Sequence, residues 1–179
     1  MAFAGHRYHR PMAERWKPSV TVAAVIERQH GGERQFLLVE EETADGLRLN
    51  NPAGHLDPGE SPEAGVAREA LEETTCTFAP ERLVGIYLLR QVRPERGEDV
   101  TYVRFAYAGR VGEPDPGRTL DTGIVRTVWM SLAEVRASRD RHRSPLVLRT
   151  IEDWVAGHSH ALEVVHCDPS VWSGLGEAG

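Results

Sequence analysis

The stretch from Asp57 to Glu73 concentrates the groups able to do chemistry. Asp57, Glu60, Glu63, Glu69, Glu72 and Glu73 crowd together there, with Arg68 the lone basic residue among them. Such a patch repels bare phosphates, so an anionic substrate could approach only with a cation between. Asp57-Pro58-Gly59-Glu60 suits a type II turn, with Gly59 where φ must be positive. Ser61 is a good N-cap and Pro62 a good first helical residue, which predicts a helix from there. At about 100° per residue, Glu69, Glu72 and Glu73 share one arc of that helix. Val66, Ala67, Ala70, Leu71 and Thr74 occupy most of the opposite side. Each close pair of like charges costs roughly 0.2–0.5 kcal/mol, and Arg68, four residues before Glu72, relieves only part of it. A hard divalent cation such as Mg²⁺ would compensate, since it takes oxygen ligands and shares its shell with substrate phosphates. On helix spacing alone, a solvated acidic face remains the simpler reading.

The elements that must position these residues follow from pattern. Val20–Ile26 and Phe36–Glu40 are β-prone runs with a hairpin turn at Gly31-Gly32. Leu47–Asn51 reads as a short strand closed by Pro52. Leu83–Val92 and Val100–Val111 form a second strand pair, joined by the polar loop Arg93–Asp99. Residues 101–108 alternate, so one face should be buried. Gly112–Gly123 reads as a long surface loop and Val125–Met130 as a further strand. Ser131 to Glu134 carries a capping-box signal for a short helix. Ser144-Pro145 opens a last helix with Leu148, Ile151, Trp154 and Val155 on its apolar face and Gly157 as its stop. Trp129, Trp154 and Trp172 read as core or staple residues. The order of strands, helix, strands, helix, helix predicts an α/β or α+β fold, a mixed β-sheet sandwiched between helices.

The 179 residues suffice for one core, and a formal net charge of −6 argues against a general nucleic-acid partner. The longest apolar runs are far too short to span a bilayer, and the His- and Arg-rich start lacks a secretory apolar region, so neither a membrane nor secretion is expected. Cys76 and Cys167 sit in no metal-ligand spacing and read as reduced thiols, in keeping with the cytoplasm. No heptad or exposed apolar stripe is evident, so a monomer is the expectation.

The pattern Gly54, Glu60, Arg68-Glu69, Glu72-Glu73 resembles the Nudix box, here residues 54–76. Further segments, among them Asn51-Pro-Ala-Gly-His55-Leu56, Arg104-Phe105 and Arg143-Ser-Pro-Leu-Val147, look like the phosphatase NudJ branch of that family. The resemblance implies a Nudix fold over residues 18–165, between a flexible N-terminal tail (1–17) and a C-terminal tail (166–179). It implies an Mg²⁺-dependent hydrolase, with Mn²⁺ able to substitute, acting on phosphoanhydride bonds of nucleoside di- and triphosphates or related small pyrophosphates, thiamine-precursor pyrophosphate included. The alternatives are an ADP-ribose-type nucleotide-sugar pyrophosphohydrolase and a non-catalytic nucleotide-binding module. Glu69, Glu72 and Glu73 with the Gly54 carbonyl would bind metal, and Glu69, Glu72 and Arg68 would serve catalysis. Glu72 would be a third ligand or the base. Glu60 and Gly59 would support the loop, while Arg104 and Glu41 would contact substrate. Glu98, Asp99 and Asp121 are candidates for a remote ligand or base, and His55 has a structural role. The chain departs from the family at Thr75-Cys76, where Gly and an aliphatic residue are usual. β-Branched Thr resists positive φ, which predicts an altered helix exit. Leu49 stands where the NudJ branch often carries an aromatic.

Overall fold

The computed structural model describes residues 16–173, so the expected N-terminal tail falls almost wholly outside the described residues. The chain runs through β1 (Ser19–Val25), β2 (Glu27–His30), β3 (Glu33–Thr43), β4 (Gly46–Asn50), β5 (Ala53–His55) and α1 (Pro62–Thr74). It continues through β6 (Cys76–Arg93), β7 (Glu98–Pro114), β8 (Ile124–Ser131), α2 (Leu132–Ala137) and α3 (Leu146–Val155). One sheet has the order β5-β1-β7-β6; the other places β3 between β4, β2 and β8. β1 runs parallel to β7, from Ser19 opposite Tyr102 to Val25 opposite Ala108, while the other pairs are antiparallel. The strands mix directions as expected.

From Val22 to Val25 β1 is an unbroken apolar run because both its faces are covered there. Val22, Ala24 and Tyr107 meet Val66 and Ala70 of α1 on one side. Val25, Ala106 and Ala108 meet Phe36 and Leu38 of the second sheet and Val147 and Ile151 of α3 on the other. Burying Val66 completely contributes about 1.5–3 kcal/mol, which holds α1 against the sheet. At Ile26 the chain crosses to the second sheet, where β2 and β3 turn through Gly31 and Gly32, with φ of 60° and 82°. Two consecutive positive φ values are what a type I′ hairpin demands.

β6 and β7 are longer than their alternation suggests. Register shifts at Cys76/Phe78, Pro80/Arg82 and Leu83/Gly85 break the period in the first half of β6. The predicted capping box of α2 is present: the Ser131 hydroxyl accepts from Glu134 N (3.3 Å), and the Glu134 carboxylate accepts from Ser131 N (2.8 Å). α3 stops before Gly157, at φ 85°. Trp129 and Trp154 pack against the core. Trp172 does not: a surface 3-10 turn (Pro169–Trp172) carries it, and it is exposed. Among the described residues no helix is long and apolar enough to cross a membrane.

Candidate active site

The loop before α1 has the predicted geometry. Gly59 takes φ 85°, Glu60 N donates to the Asp57 carbonyl, and the Ser61 hydroxyl caps the helix by accepting from Ala64 N. Glu60 ties this loop together, accepting from Asp57 N (2.8 Å) and from two nitrogens of Arg68. The Arg68 guanidinium also reaches Glu69 (2.8 Å), Glu72 (3.1 Å) and the His55 carbonyl (3.0 Å). Arg68 is therefore the hub that spaces the carboxylates. It holds Glu60 below the usual carboxylate range. The exposed His55 contributes its carbonyl to the hub, and its ring lies 6.3 Å from that of Tyr102.

The three glutamates expected on one face separate by depth. Glu72 is exposed; Glu69 is half-buried; Glu73 is buried. Glu69 lies against Gly54, where an added Cβ would overlap its carboxylate. A residue without a side chain is required there for Glu69 to sit beside β5. Glu73 accepts from Ala53 N at 2.8 Å, the next backbone position. Burial raises the pKa of Glu69, against the pull of Arg68. Burial likewise pushes Glu73 up to about 8, opposed by the Ala53 hydrogen bond and reinforced by Glu69, Glu41 and Asp121.

Behind Gly54 opens a cleft of about 180 Å³, lined by Thr21, Glu41, Asn50, Arg104 and Arg143 among others. Its walls hold polar atoms closed from solvent and without a hydrogen-bond partner: Thr21 Oγ1, Glu41 Oε1, Asn50 Oδ1, and Nε and Nη1 of Arg104. Such atoms are rare in folded proteins, and a ligand that satisfies them is a physical reason for their presence. Arg104 as a residue is half-buried, yet desolvation of those nitrogens lowers its pKa to about 10 despite Glu41 and Glu73. Arg143 Nε stands 3.5 Å from that same Glu41 oxygen, an ion pair without a hydrogen bond. A larger cavity of about 690 Å³, bordered by Arg28, Trp129 and Trp154, includes none of the α1 carboxylates.

Arg104 and Glu41 thus meet in one cleft beside Glu73, and Gly54 lies at its edge. Glu98 and Asp99 do not: they pair with Arg93 and Arg90 at the tip of the β6–β7 hairpin. The Asp121 loop reaches α1, its N–H donating to the Glu72 carbonyl at 2.9 Å. Sequence reasoning assigned no role to Thr21, Asn50 or Arg143. Their only signal is a polar residue at a strand end or after a helical turn, which is also how structural residues look. Leu49 is buried in the core and offers no stacking surface.

The expected altered helix exit is absent. Thr75 takes φ 60° and ψ 5°, an ordinary left-handed cap, with its N–H donating to the Leu71 carbonyl. Its own carbonyl accepts from Asp115 N at 3.0 Å, so burial and the 115–123 loop impose the conformation that the side chain resists.

Among the described residues no three His, Cys, Asp or Glu side chains close into a metal cage; Arg68 and Ala53 N occupy carboxylate oxygens of Glu69, Glu72 and Glu73. The donor chemistry nevertheless suits a hard divalent cation. Besides burial, the charge of Glu72 raises the pKa of Glu69 and that of Glu69 raises Glu73, so the site is a set of oxygen donors short of positive charge.

The NUDIX domain family model matches residues 17–150, and the chain belongs to the Nudix family. It is 32% identical to phosphatase NudJ of Escherichia coli (strain K12) over 151 residues, 84% of this chain and 92% of that one. A NUDIX hydrolase from Nitrosomonas europaea is 47% identical, with a TM-score of 0.75 over 85% of this chain and 98% of that one. The NUDIX domain of Shewanella oneidensis NrtR, crystallised with ADP ribose, shares the fold at 19% identity, with a TM-score of 0.56 over 80% of this chain and 90% of that one. The chain is a Nudix hydrolase acting on phosphoanhydride bonds. Nudix hydrolases generally use a divalent metal ion, typically Mg²⁺.

Proposed function

We propose that the chain is an Mg²⁺-dependent phosphohydrolase of nucleoside di- and triphosphates or related small pyrophosphates, releasing phosphate. One observation carries the reading: the half-buried Glu69 at Gly54 and the buried Glu73 at Ala53 adjoin a cleft of donors and acceptors without hydrogen-bond partners. Glu69, Glu73 and the Gly54 carbonyl would hold the ion, with Glu72 as a third ligand or as the base. When bound, Mg²⁺ would screen phosphate oxygens and lower the pKa of the attacking water.

The chain's own residues do the remainder. Arg68 fixes the spacing of Glu69 and Glu72 and orients both. As the base, the exposed Glu72 would accept the proton as water adds to phosphorus and the bridging P–O bond breaks. The leaving group keeps the bond electrons. Arg104 donates from Nε and Nη1 to substrate oxygen or ring nitrogen, and Glu41 and Asn50 accept from substrate N–H or O–H groups.

The test is a phosphate-release screen over nucleotides, nucleotide sugars and thiamine-precursor pyrophosphates, with and without Mg²⁺, on wild type and Glu73→Gln. Glu73→Gln keeps size and removes charge, so turnover should fall at least about 100-fold with circular dichroism unchanged. Near-wild-type turnover in that variant would sink the assignment. Two monophosphates released from a nucleotide sugar would replace the substrate class with a nucleotide-sugar pyrophosphohydrolase.

A further inference from the structure

Two consecutive glutamates of β3 meet the same arginine-rich segment, residues 139–143, and end in opposite conditions. Glu40 and Glu41 are neighbours in a strand, so their side chains point to opposite faces of the sheet. Between them the pairing with β8 shifts register, from Glu40 opposite Arg126 to Glu41 opposite Ile124. Glu40 is 4% exposed and has both oxygens taken: Oε2 accepts from Arg126 Nε at 2.7 Å, and Oε1 accepts from Arg141 Nη2. The Arg126 hydrogen bond above all holds it below the usual carboxylate range. Glu40 is a structural anchor.

Glu41 is not. It lines the cleft behind Gly54, and its Oε1 is closed from solvent and accepts no hydrogen bond. Burial raises its pKa, opposed first by the charge of Arg143 and then by that of Arg104. Arg143 Nε stands 3.5 Å from Oε1, beyond the distance of about 2.7–3.2 Å at which an N–H fills a lone pair. Arg104 likewise leaves its Nε and Nη1 unpartnered. The carboxylate is thus attracted by two cations and hydrogen-bonded at Oε1 by neither. A buried ion pair needs such bonds to offset its desolvation, so the open positions call for a ligand.

The backbone sets where Arg143 stands. Its N–H donates to the Leu49 carbonyl at 2.8 Å, and His142 bridges Leu49 in parallel, so residues 142–143 lie along β4. Neither contact uses the Arg143 side chain, which is 40% exposed. A substitution that keeps the N–H keeps the anchor.

We propose that Arg143 is a positioning residue for substrate recognition, acting through Glu41, given the reading above in which Glu41 accepts from substrate. It draws the carboxylate away from Arg104 and so keeps both groups open to the substrate. Without the Arg143 charge, Arg104 is the remaining cation that acts on Glu41. Glu41 then turns onto the free Arg104 donors, and the cleft satisfies itself.

Steady-state kinetics with Mg²⁺ on ATP, GTP, CTP and UTP, beside melting curves, test this. Arg143→Met should raise KM roughly 10-fold, within the range for coupled neighbours, while kcat changes far less and Tm holds or rises. Arg143→Lys keeps the charge and should recover most of the KM. In a Glu41→Gln background, Arg143→Met should leave KM where Glu41→Gln alone puts it. A KM rise that persists in that background would make Arg143 a direct substrate contact and overturn the inference. An unchanged KM in Arg143→Met overturns it as well. So does a lowered Tm or a chain that fails to fold, either of which would make the side chain structural. These failures leave wild-type turnover, and with it the nucleotide reading, intact. Turnover of none of the four by wild type would instead remove that reading and the inference together.

Discussion

In the proposed reading, the role of Arg104 would divide between stability and binding. Two of its donors are buried and unpartnered, so the folded protein bears their desolvation without recompense. Arg104→Met should remove that burden. We expect the melting temperature to hold or rise and KM to increase roughly 10- to 100-fold, the loss of hydrogen bonds from a charged donor. Melting curves beside steady-state kinetics separate the roles. A lowered melting temperature with unchanged KM would make Arg104 a structural partner of Glu41. Arg104 was readable as a candidate because it falls, on a predicted strand, in a segment that resembles the NudJ branch. Thr21 and Asn50 were not, since the cleft forms from β1, β4, β5 and β7 and the approach to α3, segments far apart in the chain.

At the scale of elements, the Nudix-box helix was legible almost throughout, because its turn, N-cap and first-turn proline are local signals. Its exit was not. Left-handed geometry at Thr75 is imposed by contacts with Leu71 and Asp115 that no local rule contains. A non-glycine residue there costs about 1–2 kcal/mol. Thr75→Gly should return most of it, less the greater freedom that glycine gives the unfolded chain. We expect a net gain of about 1 kcal/mol, or about 2–4 °C in Tm for a chain of this size. A lower Tm by differential scanning calorimetry would show that the Thr75 side chain contributes more than its backbone costs. The depth ordering of Glu69, Glu72 and Glu73 was likewise hidden. A helical wheel places them in one arc, but only the approach of β5 buries Glu73 while Glu72 stays in solvent.

For the whole molecule, we expect Glu73 to couple stability, pH and metal. Its folded pKa of about 8 lies above its ordinary 4.5, so the folded state binds the proton more tightly than the unfolded chain. Without divalent ions, this group's contribution to stability is complete below pH 4.5. It is lost as pH rises through the interval to about 8. A cation binding the ionised carboxylate must displace that proton, so Mg²⁺ should bind more tightly, and stabilise more, as pH rises across the same interval. Melting curves at the two ends of this interval, in chelator and in excess Mg²⁺, measure both slopes. In chelator Tm should fall with pH, and the increment from Mg²⁺ should grow. Glu73→Gln cannot titrate, so it should flatten the chelator slope and remove most of the increment. If the increment in wild type were independent of pH, the ion would have to be held by carboxylates already ionised, Glu72 among them. Glu73 would then be a buried support for β5 through Ala53 N rather than a ligand.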